Sequence, residues 1–299
     1  MTENEGKPFV TLILATANRA EWLEEPINAI LAQHETRFEL MLLDCGSEDG
    51  TGDVLERFAG DERVRVERLE ERDKGIARRQ ALQRAKGDFV MFPDPHAIWQ
   101  PPVLERLLRV MGELPASTGV VYCGGFLVNN EGEVVQEVPQ IAPQGAVGDA
   151  LFEAPVIPIA GVMVRYKVLQ PLLKTANKFW LENDHALLLW LAGRTAFEPV
   201  NEAMMTLRPI EGALPPGLDP VAEARGEAMT KALETIPGLV RARLARRCLS
   251  HHFVTRSLAL GRAGEVNAAF GCAMRAVMYR PLWFRAWKQV LRLAAGRAS

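Results

Sequence analysis

The chain has 299 residues, of which 48% are hydrophobic and 24% are charged, a composition typical of globular proteins and sufficient for one large domain with an appendage. No apolar run reaches the roughly 18 residues that cross a bilayer, and the acidic N-terminal sequence MTENEGKPFV does not resemble a secretory signal, so we expect a protein made and kept in the cytoplasm. The net charge is −2, and the four cysteines are scattered without a CxxC pair, which argues against a disulfide framework and a zinc ribbon.

The first third of the chain alternates strand and helix patterns. Strands are predicted at Val10–Leu14, Phe38–Asp44, Arg63–Glu67 and Asp88–Phe92, and helices at 21–33, 51–58 and 76–85. This alternation predicts an α/β fold with a parallel or mostly parallel sheet covered by helices, in which ligands bind at the carboxyl ends of the strands. Asp44 ends the second strand and Asp94 follows the fourth, so both should face the same crevice.

The rest of the chain changes from mixed patterns to helices alone. Strands are predicted at Val120–Tyr122, Phe126–Val128 and Gly161–Arg165, a loop-rich stretch at 139–158, and a helix at Asp184–Ala192. The density of Pro and Gly predicts a linker at 209–220. We therefore expect a domain at 1–208, this linker, and a basic helical region at 221–299.

The segment LLDCGSEDGT places Asp44 at the end of a strand, before a turn and a short helix. Ser47 or Asp49 is suited to cap that helix. Capping accounts for these two residues and for Thr51 without any ligand. It does not require Asp44, which makes Asp44 a candidate ligand-binding residue.

The segment FPDPHAIW places Asp94 two residues before His96, between two prolines that stiffen the chain. If the backbone is extended, both side chains point to one side, where the carboxylate and the imidazole can share a divalent ion. Manganese accepts both ligand types, whereas magnesium prefers oxygen. The alternative is a proline-rich turn in which His96 makes only local hydrogen bonds. The triplet alone does not distinguish the two.

Residues 8 to about 112 resemble the N-terminal half of family 2 glycosyltransferases with the GT-A fold. The segments that carry the resemblance are TLILATANRAEWLEEPINAILAQ, FELMLLDCGSEDGTGDVL, DKGIARRQALQRAKGDFVMF and FPDPHAIW. The resemblance implies nucleotide-sugar binding by the loop after the first strand, by the aspartate that ends the second strand, by an arginine of a following helix, and by the first residue of the metal triplet. These positions are Thr16, Asn18, Arg19, Asp44, Arg78 and Asp94.

The metal triplet of that family, DxD, falls on Asp94-Pro95-His96, and its last carboxylate is replaced by histidine. This variant resembles the DxH of the polypeptide GalNAc-transferases. The resemblance therefore implies a divalent metal cofactor, Mn²⁺ or Mg²⁺, held by Asp94 and His96.

The segment ANKFWLENDHALLLWLAGR resembles the helix E-D-x-D-L-W-L-R-L-A of the same family. The alignment implies that Asp184 is the catalytic base, with Asn183 in place of the preceding acid; a shift of register would make Glu182 the base. An amphipathic helix whose N-terminal acids favour the helix dipole is the alternative interpretation. Arg165 matches an arginine near the acceptor cleft but also suits a surface ion pair.

The activity implied is metal-dependent transfer of a sugar, with inversion, from a nucleotide-diphosphate donor to a hydroxyl of a glycan or lipid-linked acceptor. Cys45, His96 and Asn183 each replace an acid expected in the family. A catalytically degenerate protein that binds nucleotide sugars is therefore the alternative function.

Residues 238–299 carry twelve Lys or Arg and one acid, Glu265, whereas the preceding residues carry a net charge of −13. Aromatic residues are interleaved with these cations, as in Trp283, Phe284 and Trp287. This pattern suits peripheral contact with the inner face of a membrane, or a helical hairpin that packs on the catalytic domain and shows its arginines to water. Nucleic-acid binding is not expected, because no recognition module is visible.

Overall fold

The computed structural model describes residues 9–70, 72–139, 142–154, 157–174, 179–209 and 220–295. The chain forms two compact units. Unit 1 comprises Met1–Val147 and Pro155–Pro209, and unit 2 comprises Gly148–Ala154 and Ile210–Ser299. Most of the linker predicted at 209–220 lies outside the described residues, and its last residue begins a helix.

Four parallel strands form one half of the sheet in unit 1. They are β1 (Val10–Thr16), β2 (Phe38–Cys45), β3 (Val64–Leu69) and β4 (Phe89–Met91), in the order β3–β2–β1–β4. β1 and β2 are buried along their whole length, as expected of parallel strands covered on both faces. The connecting helices are α1 (Ala20–Leu31), α2 (Thr51–Glu56) and α3 (Lys74–Arg84).

The other half of the sheet is mixed. It contains β5 (Ala97–Trp99), β6 (Thr118–Val128), β7 (Val134–Val138), β8 (Val162–Arg165) and β9 (Ala196–Leu207). The order continues β4–β8–β6–β9–β5, with β7 paired to β6; β8 is antiparallel to both neighbours, and β9 is parallel to β6. The helices are α4 (Val103–Glu113), α5 (Gly148–Glu153, in unit 2), α6 (Tyr166–Leu173), α7 (Phe179–Glu182) and α8 (Asp184–Ala192). The predicted α/β fold, with a sheet covered by helices, is confirmed.

Strand β6 is one strand where the sequence predicted two. Gly124 and Gly125 interrupt the apolar pattern, but they permit close contact with neighbouring strands. A Cβ on Gly124 would lie 2.6 Å from the carbonyl oxygen of Val138, and one on Gly125 would lie 2.5 Å from Cγ of Met205. These glycines therefore mark close strand packing and not a turn.

Unit 2 consists of α5 and four further helices: α9 (Pro220–Thr235), α10 (Ala242–Arg262), α11 (Val266–Tyr279) and α12 (Phe284–Ala294). Two buried serines of α10 join it to α11, because Ser250 donates to the carbonyl of Ala276 at 2.8 Å and Ser257 donates to that of Ala269 at 2.7 Å. The predicted C-terminal helical region is confirmed. Among the described helices, none is both long and apolar enough to cross a membrane.

Helix α5 lies in the stretch that the sequence predicted to be loop-rich and that was assigned to the first domain. It belongs to unit 2, buries Leu151 and Phe152, and pairs its acids with arginines there: Arg241 Nε lies 2.7 Å from Asp149, and Arg247 lies 2.7 Å from Glu153. The boundary between the units is therefore crossed more than once by the chain.

Candidate active site

The carboxyl ends of β1, β2 and β4 bring the predicted residues to one edge of the sheet. Thr16, the last residue of β1, pairs with Asp44 on β2. Met91, the last residue of β4, pairs with Leu12 in the same parallel direction, so Asp94 leaves the sheet at that edge too. The strand ends that precede or carry the predicted residues therefore lie at one edge of the sheet in unit 1.

The loops after β1 and β2 are tied together by hydrogen bonds. The Ser47 hydroxyl accepts from the backbone N–H of Asn18 at 2.9 Å, and the Asn18 side chain accepts from the N–H of Glu48 at 2.9 Å. Thr51 accepts from the N–H of Arg19 at 2.8 Å. Asn18 has a φ of 52°, which asparagine tolerates better than most residues. Its side chain therefore shapes the loop next to the candidate nucleotide site.

Asp44 is 1% exposed, and its two carboxylate oxygens have different surroundings. Oδ1 accepts from the backbone N–H of Ser47 at 3.0 Å, and this hydrogen bond closes the local turn after β2. Oδ2 has no hydrogen-bond partner in the described part of the chain, and its nearest cation is Arg68, with Nε at 3.7 Å. A Cβ on Gly52 would lie 3.1 Å from Oδ2. The turn therefore accounts for only one oxygen, and glycine at 52 keeps a side chain away from the other.

Cys45, at the position where the family resemblance leads us to expect a second aspartate, is buried. Burial and the charge of Asp44 raise the pKa of its thiol, while Lys74 and Arg78 oppose the rise. The thiol is therefore neutral at physiological pH and does not supply the missing negative charge.

The segment 93–96 forms the local turn that the sequence offered as an alternative to a metal site. Asp94 Oδ1 accepts from the backbone N–H of His96 at 2.8 Å. The imidazole does not join this turn: its Nδ1 is buried without a hydrogen-bond partner among the described residues, and its ring lies 5.4 Å from that of Trp22. The backbone turn is thus compatible with a ligating role of both side chains.

Several cations surround His96. Burial lowers the pKa of its imidazole; the Asp94 carboxylate opposes this, and Arg19, Arg208 and Lys74 lower the pKa further. The ring is therefore neutral at pH 7, which is the protonation state that binds metal ions. No group of three or more His, Cys, Asp or Glu side chains in the described ranges is arranged to hold a metal.

Arg208, which sequence reasoning missed, holds the 93–96 turn in place. Its backbone N–H donates to the carbonyl of His96 at 2.8 Å, and its guanidinium donates to the carbonyls of Pro95 at 3.2 Å and Trp22 at 3.1 Å. The same guanidinium pairs with Glu25 at 2.9 Å. Arg208 directly follows β9. A basic residue at the end of a strand would have indicated a role near the site, but the sequence did not predict β9.

Asp184 lies in the first turn of α8, beside the start of α3. Arg78, which is 1% exposed, places its NH2 2.7 Å from Asp184 Oδ1 and donates from NH1 to the carbonyl of Leu181 at 3.2 Å. Lys74 Nζ is 3.9 Å from the same Oδ1. The structure therefore joins the predicted base directly to the arginine that was predicted to face the nucleotide.

These cations control the protonation of Asp184. Burial raises the pKa of its carboxyl group, but the charges of Lys74 and Arg78 and the hydrogen bond from Arg78 outweigh burial and lower the pKa to about 2. The carboxylate is therefore ionised at neutral pH, and in this arrangement it is a weak base.

Glu182, the alternative base, is exposed at the end of α7. A Cβ on Gly75 would lie 2.6 Å from Glu182 Cγ, so the first turn of α3 contacts this residue closely. Both candidate bases consequently border the N-terminus of α3.

Asn183 is the N-cap of α8, because its side chain accepts from the N–H of Ala186 at 3.0 Å. We expect Asn183→Ala to lower the free energy of unfolding by about 1 kcal/mol. Asn183→Asp retains a capping oxygen and should unfold within a few tenths of a kcal/mol of wild type. Urea unfolding of the three proteins measures both effects. Equal stability of all three would mean that this cap contributes nothing.

Arg165 has neither of the two roles considered for it. Its guanidinium donates to the carbonyls of Thr118 at 3.0 Å, Met111 at 2.9 Å and Leu114 at 3.3 Å. In the sheet, the backbone of Arg165 pairs with that of Phe89, the first residue of β4. Arg165 therefore lies at the edge of the sheet opposite the candidate site. Arg165 therefore binds the carbonyls at the end of α4, because these would otherwise lack donors.

Residues 11–148 match the family model described as glycosyl transferase family 2. The putative teichuronic acid biosynthesis glycosyltransferase TuaG of Bacillus subtilis is 31% identical over 160 residues, which are 53% of this chain and 62% of TuaG. The putative glycosyltransferase EpsH of the same organism is 27% identical over 117 residues, 39% of this chain and 33% of EpsH. The similarity to these relatives thus spans less than two thirds of their length.

Solved structures resemble the chain over a longer range. The crystal structure of S. aureus TarS 1-349 has a TM-score of 0.66 at 16% identity and covers 97% of this chain and 88% of its own. The structure of the mannosyltransferase PcManGT from Pyrobaculum calidifontis, in complex with GDP-Man and Mn²⁺, has a TM-score of 0.59 at 20% identity. The match covers 97% of this chain and 87% of the PcManGT chain. The fold is therefore that of GT-A glycosyltransferase structures, and residues 11–148 match glycosyl transferase family 2.

Proposed function

We propose that the protein is an inverting glycosyltransferase that moves a sugar from a nucleotide-diphosphate donor to a hydroxyl of a glycan or lipid-linked acceptor. One observation carries the proposal: buried polar atoms without hydrogen-bond partners in the described chain gather around the carboxyl edge of β1, β2 and β4. They are Thr16 Oγ1, Asp44 Oδ2, Arg78 Nε, His96 Nδ1 and Arg208 Nε. Buried atoms of this kind are rare in native proteins, and a bound ligand would supply the missing partners.

The chemistry of these atoms suits the parts of a nucleotide diphosphate. Asp44 Oδ2 is an acceptor for a base N–H, and Arg19 and Arg208 lie near His96, where they would attract phosphate oxygens. A TarS structure in complex with UDP-GlcNAc and the PcManGT complex with GDP-Man support a nucleotide-sugar donor. The name of the TuaG relative supports a cell-envelope polysaccharide as the acceptor.

A divalent ion fits the pair Asp94 and His96. The pair offers one carboxylate and one buried imidazole nitrogen without a partner, and a site with few protein ligands is usual for ions that also bind substrate phosphates. The Mn²⁺ in the PcManGT complex supports this assignment. When bound, the ion would neutralise the negative charge that develops on the leaving nucleoside diphosphate.

We assign the catalytic base to Asp184, which would accept the proton of the attacking hydroxyl, and keep Glu182 as the alternative. Lys74 and Arg78 hold the Asp184 carboxylate ionised. Donor phosphates compete with Asp184 for Arg78, because both are anions. Any weakening of the Arg78 pair would raise the pKa of Asp184 and make it a stronger base, so donor binding and base activation are coupled through this arginine.

A thermal-shift panel of nucleotide sugars, with and without Mn²⁺, tests the donor and the metal together. We expect one donor to raise the melting temperature more in the presence of Mn²⁺ than in its absence. No shift with any donor would contradict the proposal. A donor that binds but is not turned over with any acceptor would instead indicate a degenerate nucleotide-sugar-binding protein, a function that the low pKa of Asp184 also suits.

A further inference from the structure

Helices α11 and α12 expose an unusual number of large apolar side chains. They are Val266, Phe270, Met274, Met278, Leu282, Phe284, Trp287 and Leu291. The first four follow one another at intervals of four residues, so they form a stripe along α11. Leu282, in the turn between the helices, is 99% exposed. We call these eight residues the α11–α12 face.

On α12 the apolar stripe runs beside a basic one. Phe284, Trp287 and Leu291 have the spacing of one helix face, and the cations Arg285, Lys288 and Arg292 each follow one of them directly. Because consecutive residues are about 100° apart around a helix, the two stripes are adjacent. An apolar stripe next to a basic one is the pattern of helices that lie in the interface of a membrane.

The cations of this region have no acidic partner in the described part of the chain. Residues 266–295 contain five Lys or Arg and no acid, and none of the five forms an ion pair with any described residue. The five are Arg275, Arg280, Arg285, Lys288 and Arg292. By contrast, Arg241 and Arg247 at the start of α10 pair with the two acids of α5. The positive charge near the α11–α12 face is therefore available to an external anion.

A groove between α10 and α12 is lined by both apolar side chains and cations. Its volume is about 340 Å³, and its lining includes Val254 and Leu258 of α10 and the three cations of α12, Arg285, Lys288 and Arg292. Apolar side chains beside three cations suit a molecule that carries a negative head and an apolar chain. An anionic phospholipid has that chemistry.

We propose that the α11–α12 face binds the surface of a bilayer that contains anionic phospholipid. The apolar stripes would enter the headgroup region, and the cations would contact lipid phosphates. A second copy of the chain is a poorer occupant, because a two-fold contact would bring identical unpaired cations together. This inference does not depend on the proposed transferase function.

Flotation of the full chain with vesicles tests the proposal. We expect flotation with equal parts of phosphatidylglycerol and phosphatidylcholine, none with phosphatidylcholine alone, and a loss of binding at high ionic strength. The variant R285Q/K288Q/R292Q should reduce the partition coefficient on the order of a hundredfold, at about fivefold for each cation. The variant F284S/L291S should reduce it by about tenfold or more.

The matched control is V134S/V135S, which replaces two exposed valines of β7 in unit 1. It should float as wild type does, and circular dichroism should show that all variants are folded. Absence of flotation at low salt, or equal flotation with neutral vesicles, would overturn the proposal. A dimer in gel filtration that F284S/L291S converts to a monomer would also overturn it, because the face would then join two copies.

Discussion

Asp184→Asn is expected to slow sugar transfer by about 100-fold to 10,000-fold, the range that a general base contributes, and not to weaken donor binding, because a neutral asparagine competes less than aspartate with the donor phosphates for Arg78. Asparagine has nearly the shape of aspartate and can still accept a hydrogen bond from Arg78, which lies 2.7 Å from Oδ1. It cannot take a proton from the acceptor hydroxyl. Initial rates at saturating donor, together with calorimetric titration of the donor, separate the two effects.

Glu182→Gln is the matched control, since it removes the charge of the neighbouring candidate base. If Asp184 is the base, Glu182→Gln should retain transfer within about tenfold of wild type. The reverse pattern, with Glu182→Gln the slower enzyme, would assign the base to Glu182. Equal rates for both variants and wild type would remove both residues from proton transfer.

Asp94→Asn is expected to weaken donor binding in Mn²⁺ by about 10-fold to 100-fold, because it removes the carboxylate ligand of the proposed ion. The substitution should leave the local backbone unchanged, because the amide oxygen of asparagine can still accept from the N–H of His96 and so keep the hydrogen bond of the 93–96 turn. The melting temperature with donor should then no longer depend on Mn²⁺. Thermal shift and calorimetry with and without Mn²⁺ measure these changes.

Asp53→Asn provides the control for this experiment, because Asp53 is an exposed acid on α2. It should leave both the donor affinity and its dependence on Mn²⁺ as in wild type. A persistent Mn²⁺-dependent shift in Asp94→Asn would place the ion on other residues. Loss of the shift in Asp53→Asn as well would point to a general effect of negative charge around the site.

The sequence predicted the parallel half of the sheet and the residues at its edge for a local reason. β1 and β2 are buried over their whole length, so their apolar runs are visible without knowledge of their neighbours. The strand ends then locate Asp44 and Asp94, since ligands of such sheets bind at the carboxyl ends. This part of the candidate site follows from pattern and direction alone.

Strand β9 could not be predicted in the same way. It contains Pro199 and Asn201, which are unfavourable in strands, and its pairing with β6 includes register shifts. Its conformation depends on β6 and β5, the strands on either side of it. Because β9 was missed, so was Arg208, which follows it and holds the 93–96 turn.

At Asn183 the role expected from the sequence also differs from the role in the structure. The family resemblance leads us to expect an acid at this position, whereas in the structure Asn183 is the N-cap of α8. Its capping oxygen accepts from Ala186, three residues away, so a local motif was available to predict this role.

By itself the sequence determined the α/β class, the helical C-terminal region and the strand ends that carry Asp44 and Asp94, because hydrophobic periodicity and helix capping act over a few residues. Only the tertiary structure decided which charges meet. Arg78 is bonded to the carbonyl of Leu181, 103 residues away in the chain, and so reaches Asp184. That contact lowers the pKa of the proposed base, and no local pattern encodes it, since it depends on the packing of α3 against α7 and α8.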